Sequence, residues 1–446
     1  MAWRWRRATV RALVAVVTAT ASAGCGGAPR DATPVPPVSA GAAPFVLAPD
    51  KPSGLFLETL QAEPPARDRL VVYAEPGRSD PLTGRVLALT RQTDRNGELP
   101  EGSRTVPIRR FGKGHLGRQG DFAWIGWNGT AREGEDPPHY GVIGKGLTER
   151  ELRSAADAVD KEHLRIARSG RPAGLRPFAE APMAISNGDV RFGAGTTQVW
   201  SRGPDAWLAV RTLRGDARVE SLARVMTFGG PVRIRGSAGT AGTVVFPGGH
   251  VRTLTRVWRE AGAVVAVTAH GLPESAVDAV VAGLRPVRGE GLTRLRASIP
   301  AYPPERLGEP GERLAASGRD AHAMWAVFAR PLGRPGAYMV TWRGLDSRRG
   351  VIGGGSSGLD APRQGVVFGG GREEDGRFVT GAVSADVARV RLVLASGRPV
   401  DLPLGRPIGP DGARWFGTWV EASRGQVREV AALDARGRIV ARKTRW

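Results

Sequence analysis

The sequence predicts an α+β protein in which two tandem repeats, each a sheet closed by one helix, precede an all-β sandwich. Three observations predict this class. Similar segments recur at a spacing of roughly 125 residues, as structural repeats do. Short strand-like runs separated by glycine turns fill the chain after Gly289. A length of 446 residues, with 41% hydrophobic and 24% charged residues, suits several ordinary folded domains.

The first 24 residues are typical of an export signal. Four arginines precede an uncharged run from Ala12 to Gly24, which is shorter than the stretch of about 20 residues that a membrane-spanning helix needs. A basic start followed by a short apolar region is the pattern of a secretory signal peptide. We therefore predict that residues 1–24 are removed on export.

The only cysteine of the chain, Cys25, directly follows this segment. The sequence Ser22-Ala23-Gly24-Cys25 resembles the lipobox of bacterial lipoproteins, with Ser22 where that family usually has leucine or another aliphatic residue. The resemblance implies that Cys25 carries a diacylglycerol thioether and anchors the protein on the outer face of the cell membrane. The alternative is plain secretion with an incidental Cys25. Residues 25–44 are rich in proline, alanine and glycine, which predicts an extended tether.

The chain is strongly basic, with 64 lysines and arginines against 43 acidic residues and a net charge of +21. Only five of the basic residues are lysines, and this skew resembles the coding bias of a GC-rich, actinomycete-like genome. The positive field favours anionic lipid or wall polymers as partners, in a salt-dependent way. Nucleic acid is not an expected partner of an exported protein, and a protein partner stays unidentified.

The repeats are predicted to span residues 45–170 and 171–288. The sequence VPIR at 106–109 recurs as VRIR at 232–235, and each copy carries a tryptophan-bearing strand before its helix. The first helix begins with the capping box of Thr148 and Glu151, and the second has Pro273 in its first turn. Apolar residues at helical spacing follow in both copies, so each helix is expected to pack on its own sheet.

Residues 289–446 form the third predicted unit. After a proline-rich passage, eight short strand-like runs alternate with glycine turns, a pattern that favours a β-sandwich or barrel without helices. The pattern resembles the immunoglobulin-like modules that are common in secreted bacterial proteins. We therefore expect an immunoglobulin-like sandwich here.

Nominal catalytic and nucleotide motifs are explained by composition. Two stretches match G-x-G-x-x-G, at 112–117 and 353–358. Roughly one such match is expected by chance among 62 glycines, and neither stretch lies between a predicted strand and helix. Ser356 lies in a G-x-S-x-G match, but no histidine follows it to complete an α/β-hydrolase triad. Metal binding and cofactors are not expected, because no two of the six histidines have metal-ligand spacing. The six are His115, His139, His163, His250, His270 and His322.

The tryptophan strands give the one ligand groove that the sequence suggests. The duplicated unit loosely resembles sensor or carrier domains of bacterial lipoproteins and of anti-sigma-linked periplasmic regulators. That resemblance implies that a lipid or peptide would lie between sheet and helix, near Trp127 and Trp258. The alternative is that each tryptophan is a core residue of its sheet.

Together these observations predict an exported, lipid-anchored protein of the cell envelope that binds or senses a ligand or partner and has no catalytic activity. Two alternatives stay open. The first is a structural protein that binds anionic wall or membrane polymers through its arginine-rich surface. The second is an extracellular hydrolase whose site is assembled from residues distant in the sequence.

Overall fold

The computed structural model describes most of the chain after residue 40. Cys25 and the predicted signal and tether lie outside the described residues, apart from the short strand at 41–42. The described residues are 41–42, 45–50, 54–62, 69–92, 103–129, 138–186, 189–192, 195–203, 205–215, 217–225, 227–245, 252–319, 322–347, 350–360, 366–373, 376–397, 399–408, 412–421 and 426–444.

Strands dominate the fold, which confirms the β-rich class. The first half of the chain contains β1 (Gly41–Ala42), β2 (Val46–Pro49), β3 (Phe56–Ala62), β4 (Arg69–Ala74), β5 (Val86–Gln92), β6 (Arg104–Ile108), β7 (Gly112–Gln119), β8 (Phe122–Asn128), β9 (His139–Lys145), α1 (Glu149–Asp157), β10 (Val159–Asp160), β11 (Arg165–Ile166), β12 (Arg176–Ala181), β13 (Met183–Ser186), β14 (Asp189–Phe192), β15 (Thr196–Ser201), β16 (Trp207–Arg214) and α2 (Ala217–Val225).

The second half continues the same alternation of short strands and few helices. It contains β17 (Gly230–Ile234), β18 (Ser237–Val245), β19 (Arg252–Glu260), β20 (Ala263–His270), α3 (Glu274–Ala282), β21 (Leu284–Val287), α4 (Glu290–Ala297), β22 (Arg313–Arg319), β23 (Ala323–Pro331), β24 (Ala337–Asp346), β25 (Gly350–Asp360), β26 (Val366–Glu373), β27 (Gly376–Val383), β28 (Arg389–Leu394), β29 (Pro399–Leu402), β30 (Arg414–Glu421), β31 (Val427–Leu433) and β32 (Ile439–Lys443).

The chain divides into two compact units that are not contiguous in sequence. Of the described residues, unit 1 takes Gly41–Ala42 and those within Glu63–Gly195 and Arg211–Ala269, and unit 2 takes those within Pro44–Ala62, Thr196–Val210 and His270–Trp446. The predicted segments 45–170 and 171–288 therefore each contribute to both units, whereas 289–446 lies wholly within unit 2. The division passes through β16.

Unit 1 contains a seven-stranded antiparallel sheet with the order β12-β4-β5-β9-β8-β7-β6. Its inner strands are apolar almost throughout, as in RLVVYA of β4, because both faces of the sheet are covered. Successive side chains point to opposite faces, so Leu70 and Val72 join one core while Val71 and Tyr73 join the other.

The two faces of this sheet are covered by different helices. Helix α1 buries Leu152, Ala155 and Ala156 against one face, and its predicted capping box is present. Helix α2 buries apolar side chains, Val219 and Leu222 among them, in the core on the other face. The strands β17-β18-β19-β20 and the second half of β16, in this order, form the second sheet of unit 1 and contribute to the same core.

Unit 2 begins with strands that are paired over long sequence distances. The strand β2 pairs with β21, and β3 pairs with β15 beside the first half of β16. Helix α3 begins after Pro273, as predicted, and buries Val277 and Val281. None of the helices in the described ranges has the length and apolar character needed to cross a bilayer.

The C-terminal part of unit 2 consists of three sheets with the orders β22-β23-β24-β25, β26-β27-β30 and β29-β28-β31-β32. Two cores separate them. Phe378 and Ala382 of β27 belong to one core, together with Trp325 and other residues of the first sheet. Val379 and Val383 of the same strand belong to the second core, with Val390 and other residues of the third sheet. The middle sheet is therefore covered on both faces.

The helix content after residue 288 was predicted incorrectly. The region was expected to contain strands alone, but it begins with the eight-residue helix α4. Its sequence EGLTRLRA has good helix formers, an acidic first turn and a basic last turn, which together favour a helix. Short 3₁₀ turns at Ile299–Ala301 and Pro304–Leu307 follow it.

Candidate functional site

The candidate site is an open cavity of about 860 Å³ in unit 1, over the solvent-facing side of α1. We call it the arginine groove, because four of its residues are arginines. Its lining comes from three segments: the turn between β6 and β7, the polar side of α1, and the short 3₁₀ turn Arg168–Gly170 with the residue before it. The lining residues are Arg109, Arg110, Glu149, Arg150, Arg153, Ser154, Asp157, Ala158, Ala167, Ser169 and Gly170.

Helix α1 is fixed so that its polar side forms the floor of the groove. Thr148 Oγ1 accepts a hydrogen bond from the amide of Glu151 at 3.3 Å, and Glu151 Oε2 accepts one from the amide of Thr148 at 2.8 Å. Glu151 also forms an ion pair with Arg85. Because Leu152 and its apolar neighbours are buried on the opposite side, the residues at 149, 150, 153, 154 and 157 are left on the outer side.

The β6–β7 turn supplies the arginine doublet at the rim. Ile108 anchors the turn in the core at 2% exposure, and the next two residues, Arg109 and Arg110, are exposed. The amide of Arg109 donates a hydrogen bond to Asp157 Oδ1 at 2.6 Å. This bond joins the turn to the C-terminal end of α1, so the doublet and the helix arginines line the same cavity.

The third segment of the lining, the 3₁₀ turn Arg168–Gly170, can pack closely on α1 only because residue 170 is a glycine. The 3₁₀ turn packs so closely on α1 that a Cβ atom on Gly170 would lie 2.1 Å from the Cβ of Ala158 and 2.5 Å from the carbonyl oxygen of Ser154. Real Cβ atoms do not approach other atoms so closely, so any larger residue would push this turn away from the helix. Gly170 therefore fixes the width of the groove on this side.

The groove has an excess of positive charge, because its two carboxylates are already engaged. Glu149 binds Arg104 at 2.5 Å and Arg153 at 2.6 Å, and the hydrogen bond from Arg104 lowers the pKa of Glu149 below its usual value. Asp157 accepts the amide of Arg109. Within the described ranges, the guanidinium groups of Arg109, Arg110 and Arg150 have no hydrogen-bond or ion-pair partner.

These features suit the groove to bind an anion. A guanidinium presents five N–H donors in a planar fork that matches the oxygens of phosphate or carboxylate, and three such groups around one cavity can bind several oxygens at once. Among the described residues there is no cluster of three or more histidine, cysteine or acidic side chains that could hold a metal ion. The groove also has no cysteine or histidine in its lining.

Trp127 and Trp258, where the sequence suggested a ligand groove, are 1% and 0% exposed. The ring of Trp127 stacks between Phe111 and Tyr140, with centroid distances of 5.4 and 5.9 Å. The indole Nε1 of Trp258 donates to Glu260 Oε2 at 3.0 Å. Both rings are core residues of their sheets, so a ligand could reach them only if the packing around them opened. The arginine groove does not include either residue.

The nominal glycine motifs lie within strands. Residues 112–117 belong to β7 and residues 353–358 to β25. In β7 the glycines make room for neighbouring side chains: a Cβ on Gly114 would lie 2.4 Å from Ile108, and one on Gly117 would lie 2.1 Å from Trp124. Ser356 lies in β25, where its hydroxyl is 3.1 Å from Thr341 Oγ1.

A second polar cluster, in unit 2, is buried. The hydroxyl of Ser201 lies 2.7 Å from the phenol of Tyr302, and burial raises the pKa of Tyr302 to about 12. Burial also raises the pKa of Glu58, whose carboxyl bonds to Ser201. Ser201 is 3% exposed and Tyr302 is 1% exposed, so a substrate has no open path to either hydroxyl. The cluster is a structural network of satisfied hydrogen bonds.

Part of the arginine groove is visible in the sequence, although neither of its arginine pairs was predicted as a site. Arg150 and Arg153 are three residues apart on the polar side of a helix whose apolar side was recognised. The doublet begins at Arg109, the last residue of the repeat marker VPIR at 106–109, and continues with Arg110. Nothing local in the sequence shows that these two pairs meet.

No family model, no curated protein and no solved structure matches the chain. What the protein does is therefore inferred from the groove itself.

Proposed function

We propose that the chain is an exported cell-envelope lipoprotein without catalytic activity that binds a phosphate-bearing anionic ligand in its arginine groove. The observation that carries this proposal is the set of three guanidinium groups, on Arg109, Arg110 and Arg150, that surround one open cavity without partners among the described residues. Keeping three such cations together without a bound anion is electrostatically unfavourable. A bound phosphate would relieve that repulsion.

The compartment in this proposal comes from the sequence. A basic start and a short apolar run directly before Cys25 favour export. A diacylglycerol would then be attached to this cysteine on the outer face of the membrane. The tether of residues 25–44 would then hold the folded units close to anionic lipids and wall polymers. The net charge of +21 strengthens attraction to such polyanions.

We also propose that residues 45–288 arose by duplication. The order β12-β4-β5-β9-β8-β7-β6 has the same pattern as β3-β15-β16-β20-β19-β18-β17, and a helix follows the strands β9 and β20 in both. The sequence PSGL at 52–55 also matches PAGL at 172–175. In this scheme the first two strands are exchanged: β2 and β3 pair with β21 and β15, whereas β11 and β12 pair with β10 and β4.

The immunoglobulin-like assignment of the C-terminal part is retained as part of the proposal. Its support is an all-antiparallel arrangement of short strands around tryptophan-rich cores. The three-sheet arrangement means that any immunoglobulin-like pair would be two of these sheets, with the third as an addition.

A second candidate function is structural binding of polyanions through charge alone. The specific observation in its favour is the arginine content, 59 residues, much of it far from the groove. The two candidates differ in what binds the ligand, which is either one set of three arginines or the net positive charge of the surface. A discrete site loses affinity when its three free arginines are neutralised, whereas charge-driven binding responds equally to the loss of any three.

Calorimetry on the chain from residue 26 separates these candidates. The probes are inorganic pyrophosphate and a glycerol phosphate polymer, each at low and high salt. The triple variant Arg109→Gln, Arg110→Gln, Arg150→Gln is compared with a matched variant in which Arg330, Arg406 and Arg428 are changed to glutamine. These three arginines are also exposed and form no ion pair among the described residues. We expect the groove variant to lose about 100-fold or more in affinity, since hydrogen bonds to charged groups contribute about 1.5–3 kcal/mol each. Equal losses in both variants would support charge-driven binding instead.

A further inference from the structure

Helix α4 is unlike the other three helices because none of its residues is buried. Leu292 and Leu295, its two large apolar residues, are only half-buried. Helices α1, α2 and α3 each bury at least two apolar side chains. An eight-residue helix that is held by so little packing is only marginally stable in water, because a short helix cannot recover the entropy of its nucleation. Unit 2 covers the larger part of the two leucine side chains, and the remaining part of each is accessible at the surface.

The charges of α4 lie beside this apolar surface. At about 100° per residue, Gly291, Leu292 and Leu295 share one side of the helix. Arg294 and Arg296 flank that side and are exposed. Glu290 lies on the opposite side. A narrow apolar stripe bordered by arginines is the pattern of helices that lie in the interface of an anionic bilayer.

A further arginine extends the basic surface at the start of the helix. Arg288 is exposed, and its guanidinium lies 5.3 Å from the centre of the Phe45 ring. Among the described residues, Arg288, Arg294 and Arg296 form no ion pair. The nearby Arg285 differs, because its Nε is 3.6 Å from Asp50 Oδ2. The surface therefore has three uncompensated cations against the single carboxylate of Glu290.

The path of the chain places α4 at the point where the tether ends. The strand β2 pairs with β21 so that Val46 lies opposite Val287, three residues before α4 begins. Residues 26–44 connect this point to Cys25 and can span at most about 65 Å. A lipid on Cys25 would therefore keep α4 close to the bilayer and raise its effective concentration there.

We propose that α4 and Arg288 form a docking surface for an anionic lipid bilayer, with Leu292 and Leu295 at the headgroup level and the three arginines on the lipid phosphates. This inference rests on the proposed export and lipid anchor. It is separate from the arginine groove, whose residues it does not use. Each arginine near an anionic surface raises partitioning about fivefold, so three of them change it about 100-fold.

Vesicle co-sedimentation tests the docking surface. The unlipidated chain from residue 26, which keeps every described residue, is mixed with vesicles of 30% phosphatidylglycerol in phosphatidylcholine or of phosphatidylcholine alone. We expect binding to the anionic vesicles only, and about a 100-fold loss in the variant Arg288→Gln, Arg294→Gln, Arg296→Gln. The matched variant at Arg330, Arg406 and Arg428, which are exposed and unpaired among the described residues, removes the same charge elsewhere and is expected to lose at most about threefold. Circular dichroism confirms that each variant is folded.

Equal losses in the α4 variant and the matched variant would overturn the inference, and so would a wild-type chain that does not bind anionic vesicles. Loss of vesicle binding in the groove variant, with the α4 variant unaffected, would also overturn it and would assign the lipid to the groove. A loss confined to the α4 variant, with pyrophosphate binding absent, would remove the proposed groove function and leave this inference intact.

A fluorescent probe measures whether the apolar side enters the interface. The chain from residue 26 has no cysteine, so an environment-sensitive dye on the variant Leu295→Cys reports from this position alone. We expect its emission to shift to the blue when anionic vesicles are added, because the dye leaves water. The control is the same dye on Leu332→Cys, at a position that is 43% exposed in the turn between β23 and β24. A shift in the control that equals the shift at 295 would contradict the proposed orientation.

Discussion

The backbone amide of Arg109 donates a hydrogen bond to the carboxylate of Asp157, 2.6 Å away, across 48 residues of sequence. This bond joins the β6–β7 turn to the end of α1 and so brings the arginine doublet to the helix arginines. The groove thus depends on a contact between two elements that belong to different parts of the predicted repeat.

The Asp157 contact predicts a local change in dynamics. In the variant Asp157→Ala the amide of Arg109 loses its acceptor, so we expect its hydrogen exchange to accelerate at least about tenfold, since local opening no longer breaks a hydrogen bond. In Asp157→Asn the side-chain oxygen still accepts, and most of the protection is retained. Amide exchange followed by NMR or mass spectrometry checks both. Unchanged exchange in the alanine variant would show that the turn is held by other contacts.

The burial of Trp127 predicts a large loss of stability on truncation. The variant Trp127→Ala removes a ring that is 1% exposed and stacked on Phe111 and Tyr140, so we expect a loss of about 3–5 kcal/mol in the free energy of unfolding. Urea denaturation measures it, and Trp207→Ala, at a partly exposed ring stacked on His270, is the control with a smaller expected loss. A loss below about 1 kcal/mol for Trp127→Ala would favour an open groove at this residue instead.

Removing the capping box of α1 is expected to cause a moderate loss in the free energy of unfolding. Replacing Thr148 by alanine leaves the amide of Glu151 without its side-chain acceptor, which is expected to lower the free energy of unfolding by about 1 kcal/mol. The variant Ser154→Ala changes an exposed position in the same helix and should be neutral or slightly stabilising, because alanine has the higher helix propensity. Thermal unfolding of both variants checks the difference. Equal melting temperatures would contradict the capping role of Thr148.

Asp401 predicts a pH-dependent contribution to stability. Hydrogen bonds from Arg391 lower the pKa of Asp401 to about 2, with a smaller contribution from Arg389. Because the folded pKa lies below the unfolded value of about 4, the stabilisation is present above pH 4 and is lost as the pH falls through about 2. We expect Asp401→Asn to lower the urea midpoint at pH 6 and to match the wild type near pH 2. High salt should shrink the difference, since the pair is exposed to solvent. A difference that is independent of pH would refute this assignment.

Local sequence signals were sufficient to predict some of the helices and strands. Helix α1 was predicted because its start carries a capping box and its apolar residues recur at helical spacing, and both signals act within one helix. Helix α2 was missed, although Val219, Leu222 and Ala223 are buried. Asp216, a residue type that favours helix starts, directly precedes it in the sequence, but the second residue of a capping box is absent, and this single signal was overlooked.

Long-range pairing could not be predicted. The partners β3 and β15 are more than a hundred residues apart, and nothing in the sequence of either strand specifies the other. The arginine groove has the same origin, since Arg109 and Arg150 come from a turn and a helix that only the tertiary fold brings together. Trp127 and Trp258 are core residues, the alternative that their places in predicted strands left open, and burial of such large rings stabilises the sheets.

The mass of the native N-terminal peptide tests the proposed lipid anchor on Cys25 most directly. The protein is isolated from the membranes of its own cells, digested, and the N-terminal peptide is analysed by mass spectrometry. We expect a peptide that begins at Cys25 with a diacylglycerol on its sulfur, and a Cys25→Ala variant that is released from the membrane. A native chain that begins at Met1 and is recovered from the cytosol would contradict the anchor, the proposed compartment and the lipid docking of α4 together.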